Sequence, residues 1–384
     1  MSKKESLSDK SKSDQPKSEK LKSDQSKVLE KKEVIQLIKN VAEDVKNKIE
    51  KTKAPELFMP VRSLSNVSYD KELGFFELLG QTKQRTLTLN TVKTFAQTLL
   101  MLNESKNVIE TNDFVNKREA YYNSKNWGEA RFKEESEASA VLEDAESLLG
   151  INREQMGFFP GVRGGSVVGN LIVFDDAATI DCTKQGSGSW SIPSTVEHLK
   201  FKTSAKFILV VETTALFDRL NKHKYWEKDN CIVVATAGVP TRNTRRFVRR
   251  LSDDMKLPVY MLTDCDPYGF ANIYRTFKVG SGNAAHINKF FCVPQAHFLG
   301  VTPDDIIKYD LPTHPLKDQD IKRAKDALKN DPFIKDHKEW QDAINKLVNM
   351  KVRAEQQAFA AHGLNYVHEV YLPEKLKNKK SWLP

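Results

Sequence analysis

The sequence has few cysteines and no long apolar run. Its 384 residues include four cysteines, and no two of them form a Cys-x-x-Cys pair. This spacing argues against a zinc ribbon or a redox dithiol, and it suits a reducing compartment. Neither a membrane-spanning apolar stretch nor a signal peptide is present in the sequence. We therefore expect a cytoplasmic protein without a membrane association.

Two common catalytic signatures are also missing. No Gly-x-x-x-x-Gly-Lys-Ser/Thr segment occurs, so a nucleotide-hydrolysing P-loop is not expected on this chain. No Ser/His/Asp order stands out, and the scattered histidines are more typical of surface or core positions than of catalysis. The chemistry must be sought in other residue types.

Length and charge allow several domains and favour an anionic partner. A 39% hydrophobic chain of this length can bury two or three cores, and its formal net charge is +9. Residues 1–27 contain eight Lys and eight Ser and predict a disordered tail. Residues 28–65 predict an amphipathic helix and a linker, because apolar residues from Val34 to Ile49 recur at helical spacing. The apolar face of that helix needs a partner, either the chain's own core or another protein.

The stretch 66–183 predicts a small helical domain that ends in strands. Helices are expected at 90–102, 111–122 and 134–149, followed by extended segments at 157–160 and 167–174. Helix, turn, helix and wing is the outline of a winged helix, a fold that often grips duplex DNA. Arg163 lies among four glycines whose amides are candidates for a phosphate contact, although the turns of a hairpin explain these glycines equally well.

Residues 200–376 predict a parallel sheet with acids at the strand ends. Apolar runs at 207–211, 231–235, 259–262 and 296–301 alternate with helical stretches, and residues 377–384 follow as a short tail. Glu212 follows the first run, while Asp264 and Asp266 follow the third. Ligands gather at the carboxyl ends of parallel strands, and a divalent cation relieves the repulsion between neighbouring carboxylates. We therefore interpret the three acids as a candidate metal site, whereas an isolated Asp-x-Asp would more often cap a helix.

Two further patterns suggest contacts with phosphate. A helix that begins near Thr241 carries five arginines in nine residues, including Arg242, Arg245 and Arg246. They form either a solvated face or a phosphate track beside the metal site. In the segment Arg118-Glu119-Ala120-Tyr121-Tyr122, the arginine lies one turn before the second tyrosine, so a guanidinium and a phenol can face one phosphate. Taken alone, such a tyrosine pair is usually a packing feature.

These residues carry a resemblance to a known family. Glu212 and the two aspartates resemble the Toprim metal-binding fold, and Arg-Glu-Ala-Tyr-Tyr resembles the nucleophile motif of type IIB DNA topoisomerases. Over roughly residues 66–376 the chain is similar to the A subunit of archaeal DNA topoisomerase VI, which is related to the transesterase that starts meiotic recombination. The other segments that carry the resemblance are Thr244–Phe247, Thr263–Gly269, Leu299–Pro303, Ala354–Gln357 and Tyr371–Leu376.

The resemblance implies a fold and a reaction. The expected fold is α/β plus α+β, with a winged-helix (CAP-like) domain that carries the nucleophilic tyrosine and a Toprim domain that follows it. Tyr122 would attack a DNA phosphate to give a 5′-phosphotyrosyl bond, Arg118 would stabilise the phosphate, and Mg²⁺ would bind Glu212, Asp264 and Asp266. Cys265, Ala120 and Thr241 depart from the family pattern without removing a reacting group.

The resemblance also implies partners. Two A chains would act on double-stranded DNA as a homodimer, together with two B subunits of the GHKL ATPase type that supply the use of ATP. This heterotetramer would be associated with the nucleoid. Three alternatives stay open: a related transesterase that breaks DNA without strand passage, a Toprim nuclease, and a basic DNA-binding scaffold with vestigial acids.

Overall fold

The computed structural model describes residues 28–161 and 164–384. The predicted tail at 1–27 and Arg163 lie outside the described residues. The helices are Lys31–Glu50, Val92–Glu110, Lys117–Asn123, Glu135–Leu149, Thr214–Lys222, Tyr225–Lys228, Arg242–Met255, Arg275–Lys278, Ala285–Phe291, Pro303–Lys308, Asp318–Asn330, Pro332–Asp336, Lys338–Met350 and Leu372–Lys377. Within the described residues, none of the helices combines the length and apolar character that a membrane span requires.

The first helices share one core, which we call the helical part. It contains Lys31–Glu50, Val92–Glu110, Lys117–Asn123 and Glu135–Leu149. Val34 and Ile38 of the first helix are buried in this core, so the chain itself covers much of the apolar face that the sequence predicted. Ile49, at the far end of the same face, is 55% exposed.

The middle helices begin and end at different residues from those predicted. The helix predicted at 90–102 continues to Glu110, and the next one begins only at Lys117. The Asn116 side chain accepts hydrogen bonds from the backbone N–H groups of Arg118 and Glu119, both at 2.9 Å. An asparagine cap of this kind starts a helix, because it satisfies amides that have no partner in the first turn.

The remaining part of the chain surrounds a six-stranded sheet and is called the sheet part. From one edge to the other, its strands are Trp190–Ser191, Ser166–Gly169, Ile232–Ala235, Ile208–Val211, Val259–Leu262 and Ala296–Gly300. The last four are parallel to one another, which confirms the predicted parallel strands. The first two are antiparallel to their neighbours, so the sheet as a whole is mixed.

The segment predicted as one extended wing at 167–174 is divided between two sheets. Ser166–Gly169 joins the six-stranded sheet, whereas Leu171–Asp175 lies in a three-stranded sheet between Lys200–Thr203 and Ala178–Asp181. The division falls at Gly169, which has a φ of +117° and a backbone so close to Cys231 that an added Cβ would lie 2.5 Å from its carbonyl oxygen. A glycine is required at such a bend.

Smaller strand pairs complete the fold. They are Glu56–Pro60 with Thr82–Thr86, Val67–Asp70 with Phe75–Leu78, Val115–Asn116 with Phe158–Phe159, and His314–Pro315 with Val352–Arg353. Helices pack on the sheet, and the aromatic rings of Trp340, Phe270, Tyr274 and Phe298 fill the core beside its outer strand. Most residues of the four parallel strands are buried, which fixes the position of the residues that follow the strands.

Candidate active site

Two of the predicted acids are neighbours at the carboxyl ends of adjacent strands. Glu212 follows Ile208–Val211, and Asp264 comes two residues after Val259–Leu262. The backbone N–H of Asp264 donates to Glu212 Oε2 at 3.0 Å. This bond holds the Glu212 carboxylate against the loop that carries Asp264.

The third acid is held in a different way. Asp266 Oδ1 accepts a hydrogen bond from the Gly269 N–H at 2.6 Å, as in the cap of a helical turn. The carboxylate oxygens of Glu212, Asp264 and Asp266 do not all lie within 4.8 Å of one another. Among the described residues, that degree of convergence occurs at Asp175, Asp176 and His198, on the surface of the three-stranded sheet. The hydrogen bond between them joins the two acids at adjacent strand ends, whereas the Asp266 carboxylate is bonded to its own loop.

The three acids are half-buried, and their charges act on one another. Burial, together with the charges of Asp264 and Asp266, raises the pKa of Glu212 to about 7. Burial also raises the pKa values of Asp264 and Asp266. In the described part of the chain no lysine or arginine forms an ion pair with any of the three. A bound cation would favour their ionised forms, so these residues fit a divalent metal ion with oxygen ligands.

The raised pKa of Glu212 predicts a pH-dependent stability. A carboxyl whose pKa is higher in the folded than in the unfolded state favours folding less as pH rises from about 4.5 to about 7. We expect Mg²⁺ to raise the melting temperature more at pH 8 than at pH 5, because it binds the ionised form. Calorimetry with and without Mg²⁺ measures this effect, and Glu212→Gln should reduce it. An equal Mg²⁺ effect at both pH values would contradict the prediction.

Tyr122 lies on the short helix Lys117–Asn123, which we call the tyrosine helix. Its side chain is 55% exposed, and its hydroxyl has no hydrogen-bond partner among the described residues. The guanidinium carbon of Arg118 lies 6.0 Å from the centre of the Tyr122 ring, as the one-turn spacing predicts. An exposed phenol beside an exposed guanidinium leaves both groups free to approach a phosphate.

The adjacent Tyr121 is used differently. Its hydroxyl accepts a hydrogen bond from Lys125 Nζ at 2.9 Å and donates to the Lys133 carbonyl oxygen at 3.3 Å. Lys125 also lies 4.0 Å from the centre of the Tyr121 ring. Tyr121 is therefore engaged in packing, and the two tyrosines are structurally distinct.

The structure keeps the phenol and the acids apart. In the described residues no hydrogen bond, ion pair or ring contact joins Tyr122 to Glu212, Asp264 or Asp266. The site residues thus form two groups, one on the tyrosine helix and one at the end of the parallel strands.

The arginines of the helix Arg242–Met255 form hydrogen bonds inside the chain. Arg242 donates to both oxygens of Glu146 at 2.6 and 3.0 Å, and Arg246 donates to both oxygens of Glu197 at 2.6 and 2.9 Å. Arg245 donates to the Thr276 carbonyl oxygen at 3.3 Å. The phosphate track predicted for these arginines is therefore not an exposed surface in this structure.

Two of the glycines that were candidates for a phosphate contact, Gly164 and Gly165, also form hydrogen bonds within the chain. The N–H of Gly164 donates to the Ile192 carbonyl oxygen at 2.8 Å, and that of Gly165 donates to Thr244 Oγ1 at 2.7 Å. A Cβ on Gly165 would lie 1.9 Å from the Ala235 carbonyl oxygen. Close backbone packing accounts for these two glycines.

The pair of Glu146 and Arg242 links the helical part to the sheet part. The Glu146 side chain is fully buried, and that of Arg242 is 15% exposed. Burial alone would raise the pKa of Glu146, but the charge and hydrogen bonds of Arg242 outweigh burial and lower it. Nearby Glu154 differs. Arg242 and Arg153 lie 3.7 Å from its oxygens, but neither oxygen has a hydrogen-bond partner, and burial raises its pKa.

This contrast predicts that a Glu→Gln substitution lowers the free energy of unfolding by different amounts at the two positions. Glu146→Gln should lower the free energy of unfolding by about 3 kcal/mol or more, because it leaves the Arg242 charge buried without its partner. Glu154→Gln should cost less than about 1 kcal/mol, because burial already disfavours the charged form and its carboxylate has no hydrogen bond to lose. Urea unfolding of both variants at pH 7.5 measures the difference. Equal losses would contradict the special contribution assigned to the Glu146 charge.

Gln356 lies beside the acids, and the sequence pattern predicts no role for it. Gln356 belongs to the segment Ala354–Gln357, and both its backbone N–H and its side chain donate to Asp264. The two residues are far apart in the chain, so no spacing rule predicts this contact. In the sequence, only the presence of Gln356 in this motif indicated that the residue could belong to the site.

Comparison with known families defines the class of protein first. Residues 207–376 match the model of the Toprim domain that the topoisomerase 6 A chain shares with Spo11. Residues 163–205 match the "All-beta domain in DNA topoisomerase VI alpha subunit", and residues 93–158 match "Type IIB DNA topoisomerase". Toprim domains and type II topoisomerases generally use a divalent metal ion.

Similarity to curated relatives then gives the particular family. The chain is 52% identical over 358 residues to the A subunit of type 2 DNA topoisomerase 6 from Methanocaldococcus jannaschii, which covers 92% of this chain and 96% of that protein. The corresponding subunit of Pyrococcus abyssi is 37% identical over 366 residues, or 90% of this chain and 94% of the relative. The chain belongs to the family of type 2 DNA topoisomerase 6 A subunits, the DNA-cleaving subunits of type IIB topoisomerases. The predicted family and its isomerase activity are confirmed.

Proposed function

We propose that Tyr122 is the nucleophile with which this subunit cleaves double-stranded DNA. The observation that carries the proposal is the exposed phenol of Tyr122 beside the exposed guanidinium of Arg118. The neighbouring phenol of Tyr121 is bonded to a lysine and a carbonyl, so it is the weaker candidate. The assignment makes the tyrosine helix part of the DNA-binding surface, in a domain of winged-helix (CAP-like) type.

The proposed reaction exchanges one phosphate ester for another. The Tyr122 hydroxyl gives up its proton as its oxygen attacks a DNA phosphorus in line, the bond to the 3′ oxygen breaks, and that oxygen takes up a proton. The product is a 5′-phosphotyrosyl bond and a free 3′-hydroxyl. A phenol of pKa about 10 leaves more readily than an alkoxide, so the reverse attack by the 3′-hydroxyl reseals the strand. Arg118 stabilises the additional negative charge on the phosphate in the transition state.

Glu212 and Asp264 are the proposed ligands of Mg²⁺. They provide carboxylate oxygens at adjacent strand ends and form no ion pair with a lysine or arginine within the described residues. Asp266 is hydrogen-bonded to Gly269, so we assign it a contact through water or with a second ion. When bound, Mg²⁺ supplies positive charge that stabilises the 3′ oxygen and the neighbouring phosphate. The burial that raises the pKa of Glu212 also strengthens its attraction to a cation.

The working assembly is proposed to be a heterotetramer of two A chains and two B subunits. The B subunits would carry a GHKL ATPase, since this chain has no P-loop for ATP hydrolysis. The exposed end of the first helix, near Ile49, is a candidate docking element for that partner. Association with DNA implies a place at the nucleoid.

A homodimer of A chains offers a way to bring the phenol and the acids together. Tyr122 has no contact with the acids of its own chain among the described residues, so we propose that each site combines the tyrosine helix of one protomer with the acids of the other. Each composite site would cut one strand. Two such sites would produce the double-strand break through which another duplex passes.

A mixed dimer tests this arrangement. A dimer of one Tyr122→Phe chain and one Glu212→Gln chain should nick one strand of a supercoiled plasmid, because one composite site is intact and the other carries both defects. Neither homodimer should cut DNA. The assay scores protein-linked nicked circles in the presence of ATP, Mg²⁺ and the B partner. Absence of nicking from a verified mixed dimer would reject the shared site but leave the individual residue roles standing.

A further inference from the structure

Gln356 is buried against the Asp264 carboxylate. Its side chain is 1% exposed, its backbone N–H donates to Asp264 Oδ1 at 2.9 Å, and its Nε2 donates to the same oxygen at 3.1 Å. The other carboxylate oxygen, Oδ2, has no hydrogen-bond partner among the described residues. The two donors therefore occupy one oxygen and leave the second free.

The segment that carries Gln356 is fastened to the loop of the acids. The N–H of Cys265 donates to the Ala354 carbonyl oxygen at 2.8 Å, and the N–H of Ala354 donates back to the Cys265 carbonyl oxygen at 3.2 Å. Gln356 begins the short helical segment Gln356–His362 directly after this bridge. Its position relative to Asp264 is thus set by paired backbone bonds and not by the side chain alone.

The remaining amide oxygen of Gln356 is an unusual feature. Gln356 Oε1 is buried and has no hydrogen-bond partner. An amide oxygen only accepts hydrogen bonds, and leaving a buried acceptor without a donor costs about 1–3 kcal/mol. A methionine would fill a similar volume without that cost. The oxygen therefore indicates a donor that binds at this place.

We propose that Gln356 is a positioning residue of the metal centre, which orients Asp264 towards the cation through Nε2 and accepts a hydrogen bond from a cation-bound water through Oε1. This inference rests on the proposed role of Asp264 as a ligand. Water bound to a divalent cation is a strong donor, and Mg²⁺ keeps several waters in its shell. Outer partners of this kind hold a ligand in the orientation that the cation needs.

The test compares Gln356→Met with Gln357→Met in the full chain. Gln357 is the exposed neighbour in the same motif, so it controls for the substitution itself. Mn²⁺ binding is measured by electron paramagnetic resonance, and cleavage is measured as a function of Mg²⁺ concentration with ATP and the B partner. For Gln356→Met we expect a dissociation constant for Mn²⁺ that rises about 10- to 100-fold. The Mg²⁺ concentration for half-maximal cleavage should rise by a similar factor, while cleavage at saturating Mg²⁺ stays near normal. In Gln357→Met, both the Mn²⁺ affinity and the Mg²⁺ requirement should be unchanged.

Gln356→Asn provides a variant that keeps a polar amide in the same environment. Its shorter side chain withdraws both amide atoms from their positions, so it should weaken Mn²⁺ binding in the same direction even if Gln356→Met does not fold. Unchanged Mn²⁺ binding and Mg²⁺ requirement in a folded Gln356 variant would overturn the proposal. Asp264→Ala distinguishes failure of the metal centre from failure of the Gln356 role. If Asp264→Ala also leaves Mn²⁺ binding intact, the assigned metal centre is wrong, and the role of Gln356 fails with it.

Discussion

Tyr122→Phe is expected to abolish covalent attachment of the protein to DNA. Removal of the phenolic oxygen leaves no atom to attack the phosphorus, and loss of a nucleophile typically lowers the rate by roughly 10⁴-fold or more. DNA affinity should stay nearly unchanged, because one hydroxyl adds little to binding dominated by phosphate charge. The measurement is recovery of protein on the 5′ ends of DNA after denaturation, beside a filter-binding assay for affinity.

Tyr121→Phe is the matched control. It removes the hydroxyl that contacts Lys125 and Lys133 but leaves Tyr122 in place, so attachment to DNA should be retained. Recovery of a 5′-linked adduct from Tyr122→Phe would reject the assignment. The product also separates the alternative activities: a nuclease leaves free ends, and a DNA-binding scaffold leaves the DNA intact.

A second large loss of cleavage is expected when either proposed metal ligand, Glu212 or Asp264, is replaced. Glu212→Ala and Asp264→Ala should each remove Mg²⁺-dependent cleavage, since both supply ligand oxygens to the proposed centre. A metal ion contributes several kcal/mol to stabilising charge in such a transition state, which corresponds to a loss on the order of 10³-fold. Gel analysis of cleaved plasmid over a Mg²⁺ titration measures the effect.

Asp266→Ala is the informative comparison for these variants. The Asp266 carboxylate accepts a hydrogen bond from the Gly269 N–H, so this variant should keep part of the activity. Full activity of Glu212→Ala in the presence of EDTA would contradict the metal centre. A complete loss in Asp266→Ala with normal folding would instead place that residue among the principal ligands.

The sequence was most informative where buried strands end. A short apolar run followed by an acid marks both a strand and its carboxyl end, and parallel pairing then brings Glu212 and Asp264 together. The prediction placed these strand ends within one residue of those observed. The catalytic roles of the two acids stay predictions.

Interactions between distant residues were beyond the reach of the sequence. Five arginines in nine residues suggest a phosphate track, but the carboxylates that bond two of them, Glu146 and Glu197, lie 96 and 49 residues away. The tyrosine helix begins at Lys117 and not at 111 as predicted, because the Asn116 side chain caps it with a local hydrogen bond. Ion pairs between distant residues and helix caps both depend on specific side-chain hydrogen bonds, which the spacing of apolar residues does not predict.

The buried pair of Glu146 and Arg242 has a consequence for behaviour at different ionic strengths. Mobile ions screen charges in contact with solvent, with a Debye length of about 8 Å under physiological conditions, but they screen buried pairs much less. Binding to DNA depends on surface charge and weakens steeply as salt is added. Concentrated salt should therefore release the DNA while the helical part stays attached to the sheet part, so a wash that strips nucleic acid leaves each protomer intact.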